Sequence, residues 1–493
     1  MFFFLGLCGS KVKEFIKQKK EESIEDYVAL NELETAYDFF KIFQSDEWIK
    51  LVVEQSKLYA RQNNVSENNV VYINKHSIRT FDAVVLHSGY NPVPSYRMMW
   101  EQQPDCHNAF VATAIPRDKF YNIIKNLHLV DNATIVPEHP DADRFVKVRP
   151  IFDNLNKAGK YFLSEECYSV DEAMVQYYGR HGCNQYIANK PTRYGFKVWT
   201  LATSDGAGVC FEPYCGASTR VEDLGLGQGP NVVLDLIKKS KLRDGSKIYF
   251  DNLFTSFPLL KELSRQGYGG TGTVRQDRLN QVPLPPKKDY DKKVVVRGTA
   301  KSVYSEDIVA TAWKDTKGVY TASNVHSGDL TKTCQRYIKE MREDVNIKQP
   351  EMVHSYNQHM GGVDLLDSSV KVYFPEIRNK KWWWPFYAWH LSVCSVNAWR
   401  LRQKVKGIKE PYLDFLRELC LGMVGVHGQD RILPPLKTVK QFDTRNHWPV
   451  HLQGKKRRNC KHCTNEGRPT KSVWFCEKCD VGLHPQCFKA FHT

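Results

Sequence analysis

A multidomain α/β fold is what this sequence predicts, and three observations predict it. At 493 residues the chain exceeds the length at which one hydrophobic core keeps growing. The period of its apolar residues changes from helical to strand-like near residue 161 and turns helical again near residue 350. Its C-terminal segment is short and dense in Cys and His, a composition that folds around metal rather than around a core.

Taken in order, residues 1–25 form a tail. "MFFFLGLCGSKVKEF" places its charges after its apolar residues, and the run is short for a secretory signal. Residues 26–160 predict a helical domain, with apolar residues recurring at three and four in "AYDFFKIFQSDEWIKLVVEQSKLYA" and "RDKFYNIIKNLHLV". Over residues 161–276, "CYSVDEAMVQYY", "GFKVWTLATSD" and "GVCFEPYCG" read as three strands. A helix ("NVVLDLIKKSKL"), a strand ("SKIYFDN"), a second helix ("FTSFPLLKELSRQG") and a strand ("GGTGTVR") follow. Three strands, then helix, strand, helix, strand is the order of a ribonuclease H-like core. Residues 277–349 predict an all-β insertion entered through "VPLPP", with strands in "KKVVVRGTA", "DIVATAWKD" and "GVYTASNVH". Residues 350–370 return to the core as one helix, "QPEMVHSYNQHMGGVDLLDSSV", behind Pro350. Residues 371–445 are a basic helical segment, and residues 446–493 a Cys/His module.

Carboxylates mark where chemistry is expected. Asp171 falls in the first strand and Asp251 at the carboxyl end of the fourth, the end at which open α/β sheets gather ligands. Asp364 and Asp367, three apart, share one face of the returning helix. Carboxylates from two strands and one helix can clamp two Mg2+ ions. Glu172 should point to the opposite sheet face and is left outside the site.

The clearest single motif is Cys460-x2-Cys463-x12-Cys476-x2-Cys479-x4-His484-x2-Cys487-x4-His492. Thiolates and imidazoles in such pairs suit tetrahedral zinc, and a chain without an export signal argues against disulfides. Seven donors fall one short of two zinc sites. His447 or His451 is the expected eighth.

Charge points to the partner. The chain carries 70 Lys+Arg against 55 Asp+Glu, a formal +15, which suits a polyanion such as nucleic acid. It has no apolar run of membrane-spanning length. From Lys371 to Cys460, 18 basic residues face six acidic ones. There "RNKKWWWPFYAWHLSVCSVNAWR" reads as a helix core with a basic rim, and Arg378, Lys380 and Lys381 are expected DNA contacts. Arg180, Lys190 and Arg193, in "GRHG" and "NKPTRYG" beside the first strand, are expected to hold the DNA backbone. The run Lys455, Lys456, Arg457 and Arg458 suits phosphate contact, nuclear import or both.

The blocks "VDEAMVQYYGRHG…YIANKPTRYGFKVW", "YFDNLFTS" and "YNQHMGGVDLLD", in this order and followed by the Cys-rich tail, resemble the piggyBac-like transposases from about Phe39 to the C-terminus. The resemblance implies a nuclear, metal-dependent DNA transposase that cuts at inverted terminal repeats through hairpinned ends and inserts at TTAA. It places the catalytic triad on Asp171, Asp251 and Asp364, with Asp367 as a further acidic residue of the motif. Asp171 would bridge two Mg2+ ions, with Asp251 and Asp364 each holding one. Two ends cut together imply at least a homodimer on double-stranded DNA. Two other classes fit the same residues: a domesticated DNA-binding protein that no longer cuts, and a chromatin or ubiquitin adaptor acting through the Cys/His module.

Overall fold

The computed structural model describes residues 30–135, 143–188, 190, 192–216, 219–275, 278, 282–339, 342–425, 447–454 and 456–492. The expected tail, much of the stretch before the Cys/His module, and Lys455 lie outside them. The chain forms two compact units. One takes in Met1–Pro92 and Lys119–His427, the other Val93–Asp118 and Gly428–Thr493.

In the larger unit the helical pattern resolves into α1 (Ala36–Phe43), α2 (Asp46–Gln62) and α3 (Lys75–Tyr90). The long apolar stripe breaks between α1 and α2 because Ser45 caps the second helix, its hydroxyl accepting from the Trp48 amide at 3.3 Å. A helix α4 (Arg149–Ala158) leads into the sheet. Strands β1 (Cys167–Gln176), β2 (Asn184–Tyr186), β3 (Tyr194–Thr203) and β4 (Gly208–Pro213) come first. Then come α5 (Gln228–Ser240), β5 (Lys247–Phe250), α6 (Phe257–Arg265) and β6 (Gly269–Thr273). Every element read from the strand-rich blocks is present. The short β2 was not anticipated, since three residues carry no period.

The sheet runs β2-β3-β1-β5-β6-β9-β8-β7, with β4 also on β3. Here β7 is Ala300–Ser305, β8 Ile308–Lys314 and β9 Gly318–Ser323. The β-rich stretch therefore does not close on itself: β9 pairs antiparallel with β6 and prolongs the central sheet. Only the hairpin β10 (Lys332–Ile338) and β11 (Glu343–Gln349) of this stretch stands apart as a two-stranded sheet. The strand expected in "KKVVVRGTA" begins only at Ala300. Val294 and Val296 are exposed, and Gly298 at φ +87° turns the chain just before the strand.

The expected single helix after Pro350 is two, α7 (Glu351–His359) and α8 (Gly362–Val372), broken at the Gly-Gly pair. Beyond it, α9 (Trp384–Lys406) is buried on all sides over most of its length and packs on α1, and α10 (Tyr412–Gly425) packs on α1 and α3. Helices from the two ends of the unit thus share one apolar layer. Asn397 of α9 fixes that layer to the sheet, accepting from the Gly208 amide at 2.8 Å and donating to its carbonyl at 2.9 Å.

Candidate active site and candidate metal centres

Register brings the first two carboxylates together. β1 and β5 are parallel neighbours with Val170 opposite Phe250, so Asp171 and Asp251 are the next residues along two adjacent strands. Asp171 lies mid-strand, where β1 outlasts β5. Asp251 opens a turn: its Oδ1 accepts from the Leu253 amide at 2.8 Å, and its carbonyl from the Thr255 hydroxyl at 2.7 Å.

The third carboxylate arrives through a close approach that only glycine permits. A Cβ on Gly362 would lie 2.1 Å from the Thr203 carbonyl oxygen and 2.6 Å from Ser169 Oγ. Without it, the Val363 amide donates to Ser169 Oγ at 3.2 Å, and Val363 packs on Ala173 and Ala202. Ser169, Asp171 and Ala173 share one face of β1, so the first turn of α8 sits over Asp171 and carries Asp364 with it. Asp364 is exposed, whereas Asp367, one turn on, is half-buried and takes the Lys371 ammonium at 2.6 Å.

The carboxylates also act on one another through their charge. Burial pushes Asp171 up to about 6; Lys190 and the Glu172 amide pull the other way, and Asp251 and Asp364 push with burial. Asp251 is raised, chiefly by burial. Asp367 is raised by burial against Lys371 and Lys190, with Asp364 adding to the rise. Tyr356 of α7, which sequence reasoning did not single out, is half-buried and lies within reach of the carboxylates' charge. Its hydroxyl is pushed up to about 12 by burial and by Asp251, Asp171 and Asp364, against a hydrogen bond with Thr273. Glu172 points to the other face as expected, where Lys197 pairs with it at 2.5 Å.

Basic residues divide into two kinds. Arg180, Arg193, Arg378, Lys380, Lys456 and Arg457 are exposed. Arg458 is exposed too, with a 2.6 Å bond to Asp480. Lys381 is instead folded onto the larger unit: its ammonium donates to the Lys125 carbonyl at 2.6 Å and lies over the Trp383 and Tyr59 rings. Burial lowers it to about 8. Trp383 and Trp384 are buried, and Trp382 packs on His181, so this aromatic run is core. Lys190 points inward, at 4.0 Å from Asp171 Oδ1.

In the smaller unit, eight donors fall into two quartets: His447, Cys476, Cys479 and His492, and Cys460, Cys463, His484 and Cys487. The pairing is interleaved, each site drawing one CxxC pair together with partners from elsewhere in the segment. Tetrahedral zinc, with Zn–S about 2.3 Å and Zn–N about 2.0 Å, requires donor–donor edges of roughly 3.3–3.8 Å. The separations observed are 3.4 Å from His447 Nδ1 to both Cys476 and Cys479, 3.5 Å from Cys479 to His492, and 3.5 Å from Cys463 to His484. The second nitrogens of His492 and His484 face main-chain carbonyls of Phe488 and Lys471, which fixes the tautomers that leave Nε2 and Nδ1 as ligands. His447 is the eighth donor. His451 lies on the strand Pro449–His451 with its ring edge-on to Trp474 and joins neither quartet.

With this geometry in place, comparison with known proteins is decisive. A family model described as Transposase IS4 matches residues 35–399. PiggyBac transposable element-derived protein 3 of Homo sapiens is 34% identical over 471 residues, covering 94% of this chain and 77% of its own. The chain belongs to the piggyBac-like transposase family. The human PiggyBac transposable element-derived protein 2 is 32% identical over 92% of this chain and 75% of its own length. Among solved structures, a piggyBac transposase in a synaptic complex with hairpin DNA shares the fold at TM-score 0.69 and 22% identity, covering 93% of this chain and 96% of that one. The piggyBac-like chain described here has no helix, among its described residues, long and apolar enough to cross a membrane.

Proposed function

We propose that this protein is a nuclear DNA transposase that cuts and rejoins phosphodiester bonds at inverted terminal repeats, with insertion at TTAA. The observation that supports it most is that Asp171 and Asp251 follow one another on two adjacent strands, with Asp364, from a helix over β1, near enough that both raise Asp171 through their charge. The strand order around β1, with β4, β3, β1, β5 and β6 in sequence across the sheet, supports the reading of a ribonuclease H-like core. The donor set suits a hard divalent cation: carboxylate oxygens, with no thiol or imidazole among them. When bound, two Mg2+ ions supply charge stabilisation for the attacking and leaving oxygens of an in-line displacement.

The chain's own residues do the rest. Asp171 feels the charge of both neighbours and, with Asp251 and Asp364, would supply the carboxylates that hold the metal. The turn hydrogen bonds of Asp251 and the close seat of Gly362 fix these carboxylates before substrate arrives. Arg180 and Arg193 lie exposed beside β1, and Arg378 and Lys380 at the entry to α9, as contacts for double-stranded DNA. Cutting two ends and inserting both calls for two active sites, hence at least a homodimer on DNA. The Cys/His module, holding two Zn2+ ions, presents Lys456, Arg457 and Arg458 for recognition of the transposon end.

Excision of a marker flanked by the element's own genomic repeats, on a plasmid, tests this reading. Wild-type protein should release the marker in Mg2+. Asp171→Asn, Asp251→Asn or Asp364→Asn should abolish release while retaining DNA binding, and Asp367→Asn should weaken it. Binding without release by the wild type would identify a DNA-binding protein that no longer cuts.

A further inference from the structure

Among the described residues, Lys190 is the basic side chain that the fold aims into the carboxylate cluster from outside the acidic helix. It sits in the connection between β2 and β3, which is pinned at its base by the Ile187 amide to the Arg193 carbonyl at 2.8 Å. The Lys190 amide closes on the Ile187 carbonyl at 3.3 Å. Its ammonium donates to the main-chain carbonyl of Glu172 at 3.1 Å and stands 4.0 Å from Asp171 Oδ1, while also acting on Asp251 and Asp367. A tight ion pair would close to about 2.7–2.9 Å. Lys190 is not so closed. It is held by a neutral carbonyl and shared among carboxylates, the position of a stand-in cation. The other ammonium at this face, Lys371, is bound at 2.6 Å by Asp367 on its own helix.

We propose that Lys190 is the resident counter-ion of the metal-free site, displaced by the divalent cation and turned towards the scissile phosphate when DNA binds. This rests on the reading of the carboxylates as metal ligands and adds a positioning residue to it. A point charge on a flexible four-carbon stem can exchange one anion for another by rotation, which a carboxylate-matched guanidinium does less readily. In the free protein the ammonium offsets repulsion among the aspartates and so competes with metal. In the DNA complex the same charge falls on the substrate.

The two states give opposite signs, which a merely structural lysine would not. In zinc-replete full-length protein without DNA, Mn2+ titrated calorimetrically should bind Lys190→Gln about tenfold more tightly than wild type, a gain of about 1.4 kcal/mol. Cleavage of repeat DNA by the same variant at saturating Mn2+ should be slower. Lys190→Arg keeps the charge and should bind Mn2+ near the wild-type affinity. Equal or weaker Mn2+ binding by Lys190→Gln would overturn the role of Lys190 alone, as would tighter binding by Lys190→Arg, which would trace the effect to a loosened loop. No Mn2+ binding by wild type and variant alike would overturn the metal reading itself and this role with it.

Discussion

Asp171→Asn should stabilise the metal-free protein, and the pH dependence of that gain follows from the structure. An aspartate titrates near 3.8 when unperturbed, and Asp171 is raised to about 6 in the fold. Between those values the folded state keeps a proton that the unfolded chain has released, so stability falls as pH rises through the window. Below it both states are protonated and nothing is lost. Above about 6 the cost is complete: roughly two pH units at about 1.4 kcal/mol each, or ~3 kcal/mol. The carboxylate is 16% exposed, so solvent screening trims this only modestly.

Asparagine keeps the shape and removes the charge. In zinc-replete protein without added Mg2+, at pH 7.5, the variant should therefore melt above wild type, and at pH 5 the advantage should shrink by about half, since little more than one unit of the window has then been crossed. Addition of Mg2+ should reverse the order, because a ligand that binds only the folded wild type stabilises it by mass action. Scanning calorimetry of the two proteins in parallel reads all three conditions. A variant less stable than wild type in zinc-replete, Mg2+-free protein at pH 7.5 would refute the account of Asp171 as a buried charge repelled by its neighbours.

Further outcomes are expected elsewhere. Gly362→Ala should cost about 1–3 kcal/mol by overpacking against Thr203 and abolish cleavage, whereas Gly361→Ala, whose Cβ would meet nothing within 4 Å, should be tolerated; thermal melting and the excision assay check both. Elemental analysis should find two zinc ions per chain, with His447→Ala losing one and His451→Ala none. Neutralising Arg378 and Lys380 together should weaken DNA binding and flatten its salt dependence by about 0.9 for each phosphate no longer neutralised, measured by titration at several salt concentrations. Neutralising Lys381, which is bonded to Lys125, should change stability more than that slope.

Local period carried most of the catalytic sheet into view. β1, β3, β4, β5 and β6 are each spelled by alternation or short apolar runs, and the helices between them by a 3.6 period. Asp171 and Asp251 were legible as site residues because each belongs to such a strand. The break between α7 and α8 was not, since the apolar pattern continues through Gly361 and Gly362; the reason for Gly362 is its close approach to Thr203, far away in sequence. Nor does any period show that β9 pairs with β6, because a buried strand reads the same whether its second edge stays open or meets a distant sheet. The seven zinc donors came from spacing alone. Choosing His447 over His451 needed the strand that turns one ring to the cluster and the other to Trp474. Lys190 was legible as a basic residue beside β1; its inward aim depends on the β2 hairpin, which three residues could not announce.

The site is a local reversal of the protein's overall charge, and on the proposed reading that reversal has a purpose. A net charge of +15 favours a polyanion such as DNA, with exposed arginines and lysines available to its phosphates. At its centre, Asp171, Asp251, Asp364 and Asp367 repel the same polyanion, and burial makes that repulsion stronger than it would be in water. Gly362 enforces the crowding and Lys190 relieves only part of it. On that reading, DNA bound by the basic surface would be kept from the reacting position until divalent cations neutralise the cluster. Binding and cutting would then separate in their ionic requirements: the first would weaken with monovalent salt, and the second would need Mg2+ at a site that Asp171→Asn leaves intact in shape but short of one carboxylate.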